Sequence, residues 1–180
     1  MIIRGQQFRF LQLVCLLFYY GIARWLPQTG RCFNIGGKSR RLLCKHIFLK
    51  CGKNVNIEKG ACFGSGVNIE IGDFSGIGLN AFIPGDTIIG NYVMMGPNCI
   101  IFQSNHRTDD ITVPMMFQGM TKRKQTIIGE DVWIGQNVTM TPGRHIAKGS
   151  VIAAGCVLTK DFPEYSIIGG NPSRLLKKRK

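Results

Sequence analysis

Neither aspartate nor glutamate occurs between Met1 and Ile57, a stretch that nevertheless carries Arg4, Arg9, Arg24, Arg31, Lys38, Arg40, Arg41, Lys45, Lys50 and Lys53. Acidic residues are scarce throughout: 10, against 23 lysines and arginines in 180 residues, for a formal net charge of +13. Such a field draws in anions, whether nucleic acid, anionic lipid or a phosphorylated small molecule. No helix-turn-helix, zinc-finger or aromatic RNA-binding motif is present, so no nucleic-acid partner is expected. Paired cysteines are missing as well. The 7 cysteines are odd in number and never spaced CxxC, which argues against a zinc site and against a secreted disulfide framework. Reduced thiols in a cytoplasmic protein fit that usage. Long apolar runs are also absent. The run LQLVCLLFYYGIA, Leu11 to Ala23, is flanked by Arg9 and Arg24 and is too short to span a bilayer comfortably. No clear small-residue cleavage site follows it, as a signal peptide would require. It reads as a helix that either packs on the protein's own core or lies on a membrane surface. A peripheral contact through residues 1–29 at the inner face of the membrane is the expectation its basic flanks motivate. With 44% hydrophobic and 18% charged residues, disorder is excluded, and the length suits one main domain with a real core.

What is abundant is glycine, and a beat of six. Ile71, Ile77, Ile83, Ile89, Met95 and Ile101 recur every six positions, four of them followed directly by glycine (Gly72, Gly78, Gly90 and Gly96). Four positions after each comes a mostly small residue: Ser75, Ala81, Thr87, Val93, Cys99. The beat returns with Ile128, Ile134, Met140, Ile146, Ile152 and Leu158, whose second slots are Val132, Val138, Arg144, Ser150, Cys156 and Phe162. A helix does not repeat at six and a plain strand repeats at two. A hexapeptide period marks a parallel β-helix, in which each six residues make one short strand and one bend, and three sides close a triangular coil. The apolar residue points into the prism, and the small one lets the chain round the corner. Cys51 to Ser65 reads as a weaker first coil, with Ile57 and Phe63 still able to point inward. Arg144 stands in a slot made for a small apolar residue; it either forces a local bulge or points outward.

The two runs are out of phase, so roughly His106 to Gln125 must leave the coil as a loop. A loop this long in a compact solenoid is functional or disordered. His106 sits where the wall ends, in FQSNHRTDD. An imidazole can take a proton from a hydroxyl near neutral pH; a surface histidine at a loop base is the plainer reading. His46 and His145 are the other two histidines.

NHRTDD followed by VPMMFQG, IIGEDVWIGQNV and GGNPSRLL resembles the hexapeptide-repeat acetyltransferases of the branch with the galactoside, maltose, serine and colanic-acid-type O-acetyltransferases. The resemblance runs from about Cys51 to Leu176. It implies an all-β, left-handed parallel β-helix over residues 51–165, preceded by a helical segment (1–50), interrupted by the extruded loop (106–125), and followed by a basic short helix or tail (166–180). It implies acetyl-CoA as co-substrate, no metal, a sugar acceptor in surface-polysaccharide synthesis, and a homotrimer with each active site between two protomers. His106 matches the family's catalytic base. Asn80 and, more weakly, Asp86 match its acceptor site, and Asp109 or Asp110 could orient His106 or bind sugar. Trp133 matches a tryptophan beside the pantetheine channel, and Ala154 and Gly155 a close-approach segment. Thr159, Lys160 and Arg174 match contacts to the CoA phosphates, with Lys177 a weaker one. Asn80 as a corner asparagine and Trp133 as a protomer-interface aromatic are the plainer readings.

Other readings keep the fold: acetylation of a small acceptor such as an antibiotic, serine or amino sugar, or a scaffold with no catalysis. A zinc hydratase of the same fold needs three histidines around the metal, and His46 lies outside the regular coil.

Overall fold

The computed structural model describes residues 9–180 throughout; of the first eight it describes only the antiparallel backbone pairing of Ile2–Ile3 with Gln6–Gln7, so Arg4 lies outside the described residues. The hexapeptide beat builds a three-sided prism of two-residue parallel strands. Ile71 pairs with Ile89, and Ile128 with Ile146, each 18 positions on, so one coil is three hexapeptides. The first face stacks Lys50–Cys51, Glu70–Ile71, Ile88–Ile89, Ile127–Ile128 and His145–Ile146. The second stacks Met94–Met95, Trp133–Ile134, Val151–Ile152 and Ser166–Gly169, with Asn56–Ile57 and Gly76–Ile77 paired below. The third stacks Ile100–Ile101, Thr139–Met140 and Val157–Leu158.

Almost every residue on the beat is buried, and so are the small second-slot residues from Ser75 to Cys99. The polar ones among them are satisfied locally. Ser75 Oγ donates to Gly90 O (2.7 Å) and accepts from the Val93 N–H (3.0 Å), while Thr87 Oγ1 donates to Pro84 O (2.8 Å). Two of the three corners turn through left-handed backbone at non-glycine residues, Phe74, Tyr92 and Asp131 on one and Asn80, Asn98 and Asn137 on the other. Asparagine is the non-glycine residue that visits that region most readily. Glycine after the beat residue lets coils approach: a Cβ on Gly78 would lie 2.1 Å from the Gly96 carbonyl oxygen. Gly78→Ala is therefore expected to cost about 1–3 kcal/mol and to lower the melting temperature by roughly 3–10 °C in a thermal scan.

The phase changes have physical origins. Cys51 pairs with Ile71 and Cys62 with Phe82, 20 positions on, so the first coil holds two extra residues between Cys62 and Glu70. That insertion, with Gly64 and Gly66 in left-handed backbone, is why the early glycine spacing looks degraded, although Ile57 and Phe63 are fully buried. The last coil is short. Ile146 pairs with Phe162 and Ile152 with Ile168, 16 positions on. Phe162 is therefore a wall residue and not the corner residue its spacing suggested. The C-terminal segment is also not a helix or loose tail: Arg174–Lys178 pairs antiparallel with Ser166–Gly169.

Two helices, α1 (Phe10–Gly21) and α2 (Ile35–Ile47), cover the open end of the first coil. Gln12 Nε2 donates to Ile47 O at 3.2 Å, so the start of one helix lies against the end of the other. Cys15 and Tyr19 of α1 and Cys44 and Ile47 of α2 join the prism core beside Phe48 and Phe63. Tyr19 Oη donates to Ala61 O at 3.0 Å. No helix among the described residues is long and apolar enough to cross a membrane.

Arg40 of α2 is fully buried. Its guanidinium donates to four backbone carbonyls: Ile57 (2.6 Å), Ala23 (3.2 Å), Leu26 (3.1 Å) and Pro27 (3.1 Å). Burial pulls its pKa below the usual arginine value, with the Glu58 carboxylate opposing.

Candidate active site

The chain leaves the prism after Ile100–Ile101, on the corner between the third and first faces, and re-enters at Ile127–Ile128. Ile89 pairs with Ile128, 39 positions on, which is one coil plus 21 residues. Those residues form an ordered two-ply arm. Lys124 N–H donates to Gln103 O (2.8 Å), Thr121 N–H to Asn105 O (2.8 Å) and Arg107 N–H to Gly119 O (3.0 Å). The tip is organised by Gln118, whose Nε2 donates to Asp110 O and Val113 O, both at 2.7 Å. Nothing in the sequence singles out Gln118 for this, because its partners are main-chain carbonyls set by the turn. Ile111, Met115, Met116 and Phe117 stand exposed on the tip, Ile111 at 98%.

His106 lies on the arm's inner ladder, bridged to Met120, and is exposed. Its side chain makes no hydrogen bond or ion pair among the described residues. The two nearby aspartates are occupied elsewhere. Arg107 grips the Asp109 carboxylate with both Nε (3.1 Å) and Nη2, and that hydrogen bonding holds Asp109 below the ordinary carboxylate pKa. Asp110 caps the turn, accepting from the Thr112 N–H (2.8 Å) and hydroxyl (2.7 Å), which lowers its pKa in the same sense. Neither carboxylate contacts His106 by a hydrogen bond in this structure; short-range partners within the arm occupy both.

Asp86 sits on the same corner as the arm, one coil below its exit. Its main-chain carbonyl accepts from Gln125 Nε2 (2.7 Å), and its Oδ1 is buried without a partner among the described residues. Asn80 stands on a different corner, between the second and third faces. Its Nδ2 reaches Asn98 Oδ1 at 3.4 Å, and Asn98 Nδ2 reaches Asn137 Oδ1 at 3.1 Å. Within one chain Asn80 thus belongs to a corner ladder of asparagines and has no contact with the arm.

The candidates for the donor side converge on the last coils. Ala154 and Gly155 form the corner above Asn137; Gly155 has φ +71° and open space where a Cβ would be. Thr159 is fixed by Ser173, whose Oγ accepts the Thr159 N–H at 3.0 Å. That bond brings Thr159 and Lys160 to the start of the terminal strand that carries Arg174. Lys160 and Arg174 are exposed and make no ion pair among the described residues. Lys177 lies exposed on the same terminal strand. Trp133 is 53% exposed on the second face, stacked between Met94 and Val151. It lies one coil before Ala154.

Arg144 causes no bulge, since its coil keeps the 18-residue step. Its side chain runs up the corner to Thr159 O (2.8 Å) and Pro142 O (3.3 Å) and pairs with Asp161 Oδ1 (3.4 Å). The same Asp161 oxygen accepts the main-chain N–H of His145, which is exposed on the first face. Ser173 and Asp161 were not legible as brace points, because each acts on residues of another coil.

The chain is 32% identical over 142 residues to the galactoside O-acetyltransferase of Escherichia coli K12, covering 78% of this chain and 68% of that protein. It belongs to the hexapeptide-repeat acetyltransferases, in the branch of the galactoside and maltose enzymes. The family description "Bacterial transferase hexapeptide (six repeats)" matches residues 125–160. A "Probable macrolide acetyltransferase" of Lysinibacillus sphaericus is 38% identical over 113 residues, 54% of this chain and 63% of that one. The chain spans between 31% and 63% of the length of several curated relatives it matches. A solved galactoside acetyltransferase in complex with coenzyme A superposes with a TM-score of 0.76 at 28% identity, covering 93% of this chain and 80% of that one. The prism is the left-handed β-helix of this family.

Proposed function

We propose that this protein transfers the acetyl group of acetyl-CoA to a hydroxyl of a sugar, in the synthesis of a surface polysaccharide, with His106 as general base. The observation that carries the reading is the placement of His106: an exposed imidazole with no side-chain hydrogen bond or ion pair among the described residues, held at fixed height by the arm's backbone ladder, where the long arm leaves the regular wall. The acceptor hydroxyl loses its proton to the imidazole as its oxygen attacks the thioester carbonyl; the C–S bond then breaks and the imidazolium returns that proton to the departing sulfur, leaving an acetyl ester, free CoA thiol and neutral His106. Backbone amides at an open corner such as Gly155 suit the oxyanion or the pantetheine amides, since no side chain stands between them and a ligand.

The residues fit CoA. Gly155 leaves room for close approach, Trp133 offers an exposed apolar ring, and Lys160, 5.6 Å over the Phe162 ring, and Arg174 are exposed cations that make no ion pair among the described residues and suit phosphate. Replacing both cations by alanine is expected to weaken CoA binding at least tenfold in calorimetry, more at low salt.

Asn80 and His106 occupy different corners of one chain. A site that uses both is completed by a second copy, whose arm brings its His106 to the Asn80 corner. The apolar arm tip, exposed in the single chain, supports a homotrimer built through such contacts.

Acetylation of a more apolar acceptor is a second reading, favoured by the same tip and by similarity to the Lysinibacillus protein. The test is acetyl transfer measured over a panel of galactosides, amino sugars, serine and macrolides, with sedimentation in parallel. Turnover of sugars by a trimer supports the proposal. Turnover of macrolides alone selects the second reading, and full activity in a monomer removes the shared site.

A further inference from the structure

The outward side of α1 contains no polar side chain. Phe10, Leu11, Val14, Leu17 and Phe18 fall within one stripe of the helical wheel, and Phe10 and Leu17 are 83% and 75% exposed. The opposite side of the same helix is the one that buries Cys15 and Tyr19 against the first coil. A helix this apolar is normally covered on most of its surface, and among the described residues this one is covered on one side. The stripe runs for about 18 Å and ends at Trp25, which is 59% exposed with the Arg24 guanidinium 4.8 Å above its ring. On α2, the outward positions mix Ile35 and Leu42 with Lys38, Arg41 and Lys45, all exposed. Between the two helices and the first coil lies a cleft of about 540 Å³ lined by Arg9, Lys45 and His46 together with Leu11, Phe48 and Leu49.

We propose that this two-helix cap is a docking surface for an anionic lipid bilayer, with the α1 stripe sunk among the acyl chains and the cleft receiving a phosphate headgroup. Charge selects the occupant. The first acidic residue of the chain, Glu58, is tied down by the Thr29 N–H (3.2 Å) and Asn56 Nδ2 (2.9 Å). Residues 9–57, which form the cap, carry no acidic side chain; Asp73 of the next coil, which borders Lys38, Arg41 and Lys45, accepts the Lys53 N–H at 2.7 Å, and cations outnumber carboxylates beside the apolar stripe, the arrangement of an interfacial helix on a negatively charged leaflet. Self-association through the same face would set two basic rims against each other, which is electrostatically unfavourable. Docking in this way would hold the prism on the membrane and bring it to acceptors carried on lipid. That consequence rests on the proposed acetyl transfer; the docking itself does not.

The experiment is co-sedimentation of the full chain with vesicles of phosphatidylglycerol and phosphatidylcholine in equal parts, compared with pure phosphatidylcholine. Two variants accompany it: Leu17→Ser with Phe18→Ser, and Lys38→Glu with Arg41→Glu and Lys45→Glu. All five positions are exposed, so the melting temperature should hold. Wild type should bind the anionic vesicles, lose binding as salt rises, and bind the neutral ones weakly. The charge variant should lose on the order of 100-fold in partition, and the stripe variant a similar factor. If the stripe variant does not fold, the charge variant decides the question. Equal binding to both vesicle types, or no binding by wild type, would overturn the proposal. So would a changed sedimentation coefficient for the stripe variant, because the stripe would then be an interface between copies. Loss of vesicle binding with acetyl transfer to soluble sugars intact keeps this outcome separate from any failure of the catalytic reading.

Discussion

His106→Ala is expected to slow acetyl transfer by about 10²–10⁴-fold, the range spanned by a positioned general base, while CoA affinity in calorimetry stays within about twofold. The asymmetry follows from position. His106 is on the arm, whereas the donor candidates Gly155, Thr159, Lys160 and Arg174 are on the last coils and the terminal strand. Removing an exposed imidazole that makes no hydrogen bond among the described residues leaves the arm's ladder in place, since that ladder is main chain, from Gln103–Lys124 to Arg107–Gly119. Asp109→Asn provides the contrast. Its carboxylate serves Arg107 and not His106, and both side chains are more than half exposed, so transfer should fall by only a small factor. A fall as large as that of His106→Ala would mean that the arm re-forms around the acceptor with Asp109 behind the imidazole. Retention of more than a tenth of wild-type transfer by His106→Ala would remove it as the base.

Arg40→Met is expected to destabilise the fold by about 3–5 kcal/mol and to lower the melting temperature by roughly 10 °C or more in a calorimetric scan. Methionine fills much of the volume but leaves buried carbonyls of Ile57, Ala23, Leu26 and Pro27 without their donor. Those carbonyls belong to the first coil and to the bend after α1, so the loss should loosen the helical cap as a unit. Arg40→Lys keeps the charge but has no planar fork to reach four acceptors, and should recover less than half of the difference. Equal stability of Arg40→Met and wild type would show that water replaces the guanidinium.

The same arginine illustrates what a sequence hides. In the chain it is one of ten bases in an acid-free stretch and reads as surface charge. Its burial depends on Pro27 and Ile57, 13 and 17 residues away, meeting around it. Arg144 raised the opposite difficulty. The beat marked it as misplaced, yet its partners Thr159 and Asp161 lie a coil further on, and no periodicity predicts them. Phe162 kept the six-residue phase and still changed role, because the last coil closes two residues early. Asn80 fits both a corner and an acceptor site by type; the ladder to Asn98 and Asn137 exists only once coils stack.

The sequence by itself determined the prism, the position of its break and the residue that stands there. A period of six with small corner residues leaves the chain one way to bury its isoleucines, and an out-of-phase return forces an arm. Only the tertiary structure decided how the arm is braced, which carboxylates are already occupied, where Arg40 and Arg144 find partners, and which side of α1 is left uncovered. Those outcomes depend on groups one or more coils apart. Their distances are set by how coils stack and how the cap sits, and the linear spacing of residues carries no information about either.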